Sequence, residues 1–354
     1  MRRELPGVRQ KERRMKEWKI DHDPSIAALV KVAPLQWGSP DKNSAGLIPY
    51  GIGLIDRVTY GIDFNVGGLM IVQGAEKERK TTFLANVIAN ICMSGKYPDG
   101  WRIAVDLAES GLPPRKYRDI LIGMVATKIL IYRHWFGTIH ELRDLLSMNL
   151  ATLDMSTADI VFPVREMIVD HKFLRYRSRT AEQKEAIEQS MGIVASWPLD
   201  IFGPAKSEGY TRKLDLARAR WNYCIERGAR MLVYDHVQQF EVVGKGDYDT
   251  LLEVTPIIAG AVVETPGLVF FAISQTSMGS RKDAMLGIGK RYARGGTKLA
   301  EEANNVFDIT YDGANEYQVI VRLLESRDSR PIDVKQGIES ASGLFIGEAT
   351  PHYS

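Results

Sequence analysis

The chain has 354 residues, of which 45% are hydrophobic and 25% are charged, and this composition excludes disorder or low complexity as the whole answer. Lys and Arg number 46 against 44 Asp and Glu, so the formal net charge is only +2, which argues against a protein that coats nucleic acid with an overall basic surface. An anionic partner must therefore meet a local cluster of positive charge. The two cysteines, Cys92 and Cys224, show neither zinc-site nor disulfide spacing, which favours a reducing, intracellular compartment.

The first 46 residues predict a basic arm followed by a linker. Residues 1–20 contain eight Lys or Arg and three Glu, and they have no apolar run suited to a signal sequence or a membrane span. A solvated arm is the simpler interpretation, and contact with nucleic acid or a partner is the alternative. The composition over 21–44 is mixed and rich in turn-forming residues, so we interpret it as a linker and expect the folded body to begin near Leu47.

Beyond Leu47, short apolar runs alternate with helical patterns. A helix-periodic segment over 81–95 follows the first of these runs. Near-continuous apolar strands separated by helices predict an α/β fold with a mostly parallel central sheet. The runs of strand length are GGLMIVQG (67–74), RIAVDLAE (102–109), ARMLVYDHV (229–237) and GLVFFAISQ (267–275).

Two further segments depart from this alternation. Residues 117–195 lack the β-branched alternation of strands and predict a helical insertion. The segments 305–312 and 316–326 predict an antiparallel strand pair around a turn. The folded body is thus expected to span 47–347, with 348–354 as a C-terminal tail.

The chain around the first strand has the pattern of a phosphate-binding loop. Such a loop needs a glycine leaving a strand, a lysine for the terminal phosphates and a Ser or Thr hydroxyl for Mg²⁺ at the start of a helix. Gly74, Lys80 and Thr81 have this spacing, whereas Arg79 stands where the pattern has its second glycine. A lysine-rich turn without a ligand is the alternative. The predicted nucleotide contacts are Gly74, Glu78, Arg79, Lys80, Thr81 and Thr82.

Polar side chains at the ends of the other apolar strands complete the predicted site. Asp235 has the position of the carboxylate that holds Mg²⁺ beside a phosphate loop. Glu109 is the candidate base that activates water, with Asp106 on the same strand as its rival. Gln275 either senses the γ-phosphate or satisfies a strand end. His236, which follows Asp235, is expected to serve packing rather than catalysis.

One segment contains the local cluster of positive charge that an anionic partner of this nearly neutral chain would need. The glycine-rich stretch 279–298 carries six Lys or Arg against one Asp, and a second loop over 242–249 carries Lys245. Flexible basic loops bind single-stranded nucleic acid through its backbone, and two solvated loops are the alternative. The candidate nucleic-acid contacts are Lys245, Arg281, Lys282, Lys290, Arg291, Arg294 and Lys298.

In order along the chain, these motifs resemble the RecA-like ring ATPases, and most closely the C-terminal motor domain of DnaB-type replicative helicases. The similarity spans about 47–115 and 196–347, and the helical stretch between them does not match. The motifs that carry it are YGIGLIDRVTYGI (50–62), GAEKERKTT, AVDLAES, MLVYDHVQQF, VFFAISQTS and RGGTKLAEEANNVFDITYD.

The resemblance implies a RecA-like P-loop NTPase and an ATP-dependent motor that translocates on DNA. Specifically, it implies a hexameric replicative DNA helicase that hydrolyses ATP with Mg²⁺ between subunits, moves on single-stranded DNA, and meets primase or loader proteins in a bacterial or phage-like cytoplasm. A RecA-like ATPase or loader that binds DNA without unwinding it is the alternative, as is a nucleotide-binding scaffold with a degenerate loop.

The resemblance also implies residue roles. Lys80 and Thr81 would bind nucleotide and Mg²⁺, Glu109 would activate water, Asp235 would hold the metal, and Gln275 would couple nucleotide state to DNA.

The family's arginine finger, which completes the neighbouring subunit's site, lies in a strand-end Lys-x-Arg. Here that place reads Glu325, Ser326 and Arg327, so Arg327 is the expected finger and Arg330 the fallback.

Overall fold

The computed structural model describes residues 47–94, 97, 99–108, 112–136, 167–174, 179–203, 213–240, 247–276, 296–311, 318–327, 329–338, 342–345 and 350–351. The strands are β1 (Leu47–Ile48), β2 (Ile62–Asp63), β3 (Gly68–Gly74), β4 (Arg102–Leu107), β5 (Leu199–Phe202), β6 (Ala229–Asp235), β7 (Val269–Gln275), β8 (Asn305–Tyr311), β9 (Gln318–Ser326), β10 (Ile332–Gly337) and β11 (Thr350–Pro351). The α-helices are α1 (Gly53–Thr59), α2 (Lys80–Ser94), α3 (Pro114–Phe136), α4 (Ala181–Ser196), α5 (Leu214–Glu226), α6 (Asp247–Glu264) and α7 (Gly296–Glu302). The arm and linker predicted over 1–46 lie outside the described residues.

Within the described part of the chain, nine strands form one sheet in the order β11-β10-β9-β8-β3-β7-β6-β4-β5. The six strands from β8 to β5 in that order run parallel to their neighbours, and β9, β10 and β11 are antiparallel additions at one end. The mostly parallel sheet is therefore confirmed. The antiparallel pair predicted over 305–312 and 316–326 is β8 with β9.

Alternate residues of each central strand enter two separate cores. On β3, Met70 and Val72 pack with α2, α3 and α4, whereas Leu69 and Ile71 pack with α5, α6 and α7. We call these two sides of the sheet the α2 face and the α5 face. Because successive side chains of a strand point to opposite sides, a sheet covered on both faces needs the near-continuous apolar strands seen in the sequence.

The predicted helical insertion contains α3 and α4, and residues 137–166 lie outside the description. Both helices belong to the core of the α2 face, and they connect β4 to its parallel neighbour β5. A capping box begins α4, in which Thr180 accepts from the backbone of Gln183 and the Gln183 side chain accepts in return.

The parallel strands bring their carboxyl ends to one edge of the sheet, where α/β proteins bind ligands. Gly74 at the end of β3 pairs with Gln275 at the end of β7. Leu107 on β4 pairs with Asp235 at the end of β6. Four predicted site segments therefore meet at this edge.

Candidate nucleotide-binding site

The predicted phosphate loop leaves the sheet at Gly74, and α2 begins at Lys80. A side-chain carbon on Gly74 would lie 2.5 Å from the carbonyl oxygen of Ile309 on the neighbouring strand β8. Only glycine permits this close approach. Close packing against β8 is therefore a second reason for glycine at position 74, besides the phosphate-binding pattern.

Between these points the loop curls through two left-handed residues. Lys77 has φ 66° and Arg79 has φ 64°, and the Glu78 amide donates to the Ala75 carbonyl at 3.3 Å. Arg79 thus takes the conformation for which the pattern has glycine, at a cost of about 1–2 kcal/mol. Its carbonyl oxygen accepts the 2.8 Å bond from Phe83 that opens α2, so the substitution retains the path of the loop.

Two charged side chains of the loop are buried against its own backbone. The Lys80 ammonium donates to the carbonyl oxygens of Gly74 and Ala75 at 3.0 and 2.6 Å. The Glu78 carboxylate accepts from the Ala75 amide at 2.6 Å. The loop therefore holds a cation and an anion at the positions where nucleotide phosphates are expected.

The predicted metal ligands come together. The Thr81 hydroxyl donates to the Asp235 carboxylate at 2.8 Å, and the Asp235 carbonyl oxygen accepts from the Ala108 amide at 2.6 Å. A hydroxyl and a carboxylate beside a phosphate loop are oxygen donors of the kind that Mg²⁺ takes together with substrate phosphates. The pair thus fits Mg²⁺. Elsewhere in the described ranges, no group of three or more His, Cys, Asp or Glu is placed to hold a metal ion.

Thr82 lies one residue further along α2, next to the segment 342–345. A carbon added to Gly343 would lie 2.9 Å from the Thr82 methyl group. The Asn86 side chain fastens this contact, since it donates to the Gly343 carbonyl at 2.8 Å and accepts from the Phe345 amide at 2.9 Å. The segment therefore lies directly against the first turns of α2.

Gln275 belongs to a polar cluster that sequence reasoning did not find. The side chain of Gln238 accepts from the Gln275 amide at 3.0 Å and donates to its carbonyl oxygen at 3.2 Å. The Gln275 side-chain nitrogen lies 3.1 Å from His236 Nε2, and His236 Nδ1 lies 3.2 Å from the Gln238 oxygen. These distances match a neutral imidazole that carries its proton on Nδ1.

His236 itself is buried and follows Asp235 through a cis peptide bond. Its ring joins the end of β6 to the end of β7, so Gln275 is bonded to the residue that directly follows Asp235 in the chain. The pair Gln238 and Gln239, which follows Asp-His after one residue, was the available signal, because amides after a strand end are placed to bond a neighbouring strand.

No protein-family model matches the chain, and no curated protein matches it in sequence. Its structure is similar to that of the ATPase domain of G40P, with a TM-score of 0.60, 14% sequence identity, and coverage of 86% of this chain and 94% of that one. The chain has a RecA-like ATPase-domain fold. It is also similar to a DnaB-like replicative helicase studied with its primase interactions, with a TM-score of 0.59, 14% identity, and coverage of 85% of this chain and 61% of that one. The predicted resemblance is confirmed at the level of the fold.

In this RecA-like domain Asp106 lies away from the phosphate loop. Its side chain is on the α5 face, where Arg220 of α5 binds it at 2.7 Å. Burial raises the pKa of Asp106 to about 6, although the Arg220 guanidinium acts in the opposite direction. This ion pair favours a structural role over that of the rival base. Glu109, the preferred base, lies outside the described residues.

Arg327 follows the end of β9, far from its own phosphate loop. Asn305 pairs with Ser326 on one side and with Met70 on the other, and Met70 precedes Gly74 by four residues. Arg327 lies one residue beyond Ser326, level with Asn304 and Leu69. Strand geometry then separates the main chains of Arg327 and Gly74 by about 17 Å along the strands and about 10 Å across them. Arg327 is exposed, and its side chain donates to the Glu302 carbonyl at 3.2 Å.

Most of the predicted nucleic-acid contacts are not among the described residues. Lys298 is exposed on α7. None of the helices that the structure describes is long and apolar enough to cross a membrane. The contacts outside the description are Lys245, Arg281, Lys282, Lys290, Arg291 and Arg294.

Proposed function

We propose that this RecA-like domain is an ATP-dependent motor that translocates on single-stranded DNA, and specifically a DnaB-like hexameric replicative helicase. One observation carries the nucleotide site. Thr81 and Asp235, from different elements, are hydrogen-bonded at 2.8 Å beside the loop that contains Lys80. That combination of lysine, hydroxyl and strand-end carboxylate is the set that P-loop ATPases use.

The residues of the loop have separate tasks in this proposal. Lys80 leaves the carbonyl oxygens of Gly74 and Ala75 and binds the terminal phosphates, because an ammonium gains more from a phosphate than from neutral carbonyls. Thr81 and Asp235 hold Mg²⁺, which neutralises charge on the phosphates when it is bound. Glu109 orients and deprotonates the attacking water.

The position of Arg327 supports hydrolysis between subunits. Its main chain lies too far from Gly74 for the guanidinium to reach the phosphate loop of its own chain. A nucleotide contact by Arg327 therefore requires a second copy, which is the arrangement of an arginine finger in a ring. We infer a homo-oligomer, with six subunits as in the DnaB-like family.

Single-stranded DNA is the proposed track. The basic segments over 242–249 and 279–298 follow β6 and β7, the two strands that the His236 and Gln275 cluster links. Although both were predicted as loops, the last three residues of each begin the helices α6 and α7. Nucleotide-dependent movement of that cluster would thus reach both loops directly. We further infer primase or loader proteins as partners, and a bacterial or phage-like cytoplasm as the setting.

ATP turnover with and without single-stranded DNA tests the proposal. We expect DNA-stimulated hydrolysis in the wild type and its loss in Lys80→Ala and Glu109→Gln. Lys184→Ala, which removes an exposed lysine of α4, is the matched control and should retain turnover. No turnover in the wild type would refute a motor.

A second candidate is a RecA-like ATPase or loader that binds DNA without unwinding it. Arg79 in the glycine position and Glu325 in place of the family's lysine favour it, since both change the charge around the phosphates. Unwinding of a forked duplex separates the two functions. DNA-stimulated hydrolysis without strand separation would select the loader, and nucleotide binding without hydrolysis would select a scaffold.

A further inference from the structure

One carboxylate of the phosphate loop occupies the interior of that loop. Glu78 is 4% exposed, and its Oε2 accepts from the Ala75 amide at 2.6 Å. The same oxygen would lie 3.3 Å from a carbon added to Gly74. The carboxylate therefore lies over the point where β3 ends and the loop begins.

Backbone amides at this point are the groups that a phosphate loop offers to its ligand. The Ala75 amide already has an anionic partner in Glu78, and the bond is short, as charge-assisted bonds are. The turn that joins the two residues, with its 3.3 Å bond from the Glu78 amide to the Ala75 carbonyl, holds the carboxylate in place. A buried carboxylate needs such partners, because without them its burial is strongly unfavourable.

We propose that Glu78 is an internal competitor of the nucleotide phosphates. Its carboxylate competes with a phosphate oxygen for the Ala75 amide, and nucleotide binds only as this carboxylate is displaced. Glu78 thus lowers the affinity and the association rate of the site. The inference rests on the proposed nucleotide-binding function and adds a residue that sets its affinity.

The chain contains a natural comparison two residues away. Glu76 carries the same charge, but its side chain is 74% exposed and forms an ion pair with Lys77 at 3.6 Å. Loss of either carboxylate changes the net charge of the loop equally. Only Glu78 contacts a loop amide through a buried bond, so competition predicts different effects for the two residues.

Binding of a fluorescent ATP analogue to the full-length chain, measured at equilibrium and by stopped flow, tests this. We expect Glu78→Ala to bind on the order of tenfold more tightly than the wild type, because a charge-assisted contact no longer has to be broken. Glu78→Gln retains the acceptor oxygen without the charge, so its affinity should fall between the two. Glu76→Ala should change the affinity less than about twofold, as a screened surface charge does.

Three results would overturn the competition. They are unchanged or weaker binding by both Glu78 variants, an equal gain in Glu76→Ala, and a gain confined to a slower dissociation rate. Thermal unfolding of each variant checks that it is folded. If Glu78→Ala does not fold, the affinity of Glu78→Gln decides the test. Inorganic phosphate, used as a competitor of the analogue, should also bind more tightly to Glu78→Ala.

The proposed function has its own readout in the same assay. Wild-type binding that disappears in Lys80→Ala establishes the nucleotide site independently of Glu78. A wild type that binds no analogue, together with Glu78 variants that bind none, refutes the nucleotide site. Binding that is lost in Lys80→Ala but unchanged in the Glu78 variants refutes only the proposed competition by Glu78.

Discussion

Thr81 donates a 2.8 Å hydrogen bond to Asp235, which lies 154 positions away in the sequence. The bond joins the first turn of α2 to the end of β6. Both side chains are predicted metal ligands, and backbone structure positions each of them. Thr81 lies on the first turn of α2, and the Asp235 carbonyl accepts from the Ala108 amide. The fold therefore holds the two predicted metal ligands together.

Removal of either partner should weaken Mg²⁺-dependent nucleotide binding. Thr81→Val keeps the shape but lacks the hydroxyl, and Asp235→Asn keeps the shape but lacks the charge. We expect both to raise the Mg²⁺ concentration needed for half-maximal binding of a fluorescent nucleotide at least several-fold, while binding without Mg²⁺ changes little. Ser196→Ala, a hydroxyl variant at the end of α4, is the control. An unchanged Mg²⁺ dependence in both variants would contradict the assignment.

The buried side chain of Lys128 should make the free energy of unfolding depend on pH. This lysine of α3 is 2% exposed, its ammonium meets the Met93 sulfur at 3.9 Å, and burial lowers its pKa from 10.5 to about 7. Between these values the unfolded chain binds a proton that the folded chain does not. The free energy of unfolding should therefore rise with pH from about 7 to 10.5, by at most about 1.4 kcal/mol per pH unit.

Urea unfolding at several pH values checks this. Lys128→Met should be more stable than the wild type near pH 7, and its advantage should shrink as the pH rises toward 10.5, because the wild-type lysine is then neutral in both states. Lys184→Met, at an exposed position of α4, should show no such trend. A constant difference between Lys128→Met and the wild type would contradict the lowered pKa.

Gln238 is predicted to position Gln275 for coupling to DNA. Its side chain binds both the amide and the carbonyl of Gln275, and it donates to Ser274 at 2.7 Å. Gln275→Ala should reduce the stimulation of ATP hydrolysis by single-stranded DNA while basal hydrolysis and nucleotide affinity persist. Gln238→Ala should have the same effect, more weakly. Full stimulation in Gln275→Ala would return this side chain to a structural role.

Arg79 allows a test of loop strain that separates backbone from charge. Arg79→Ala and Arg79→Gly both remove the guanidinium, but only glycine adopts the observed φ of 64° without a steric penalty. We expect the glycine variant to be more stable than the alanine variant by about 1 kcal/mol, measured by urea unfolding. Equal stability would mean that the loop relaxes around the substitution. A loss of nucleotide affinity shared by both variants would assign the guanidinium to the phosphates.

Much of the fold was predictable because the central strands are buried on both faces. β3, β4, β6 and β7 are mostly apolar, and β6 and β7 end in the polar residues Asp235 and Gln275, so their type and two of their functional ends could be read from the sequence. β5 and β10 were not predicted. They are peripheral in the sheet order, with half-buried, partly polar residues, and such strands lack the continuous apolar signal.

The candidate site also has a part that the sequence predicts and a part that only the tertiary structure shows. Lys80 and Thr81 follow from spacing alone, because the loop is continuous in sequence. The contacts of Gln275 with His236 and Gln238 join residues nearly 40 positions apart, so they depend on the pairing of β6 with β7. The burial of Glu78 depends on the turn of the loop, which Arg79 in place of the expected glycine obscured.

Mixing two inactive variants tests whether Arg327 acts on a second copy. Arg327→Ala should lower ATP turnover about a thousandfold while nucleotide binding persists, as loss of an arginine finger does. Lys80→Ala should lose turnover because its loop no longer binds the phosphates. When the two are mixed, about one interface in four joins an intact loop to an intact finger, since each subunit supplies one side of each contact.

We therefore expect the mixture to recover a measurable fraction of wild-type turnover that neither variant has alone. Arg330→Ala mixed with Lys80→Ala tests the fallback residue in the same manner. If the Arg327 mixture shows no recovery, the guanidinium is not a finger that acts between subunits. Its distance from Gly74 already excludes contact with the phosphate loop of its own chain, so Arg327 would then have no direct role in hydrolysis. Recovery confined to the Arg330 mixture would transfer the role to the turn that follows β9.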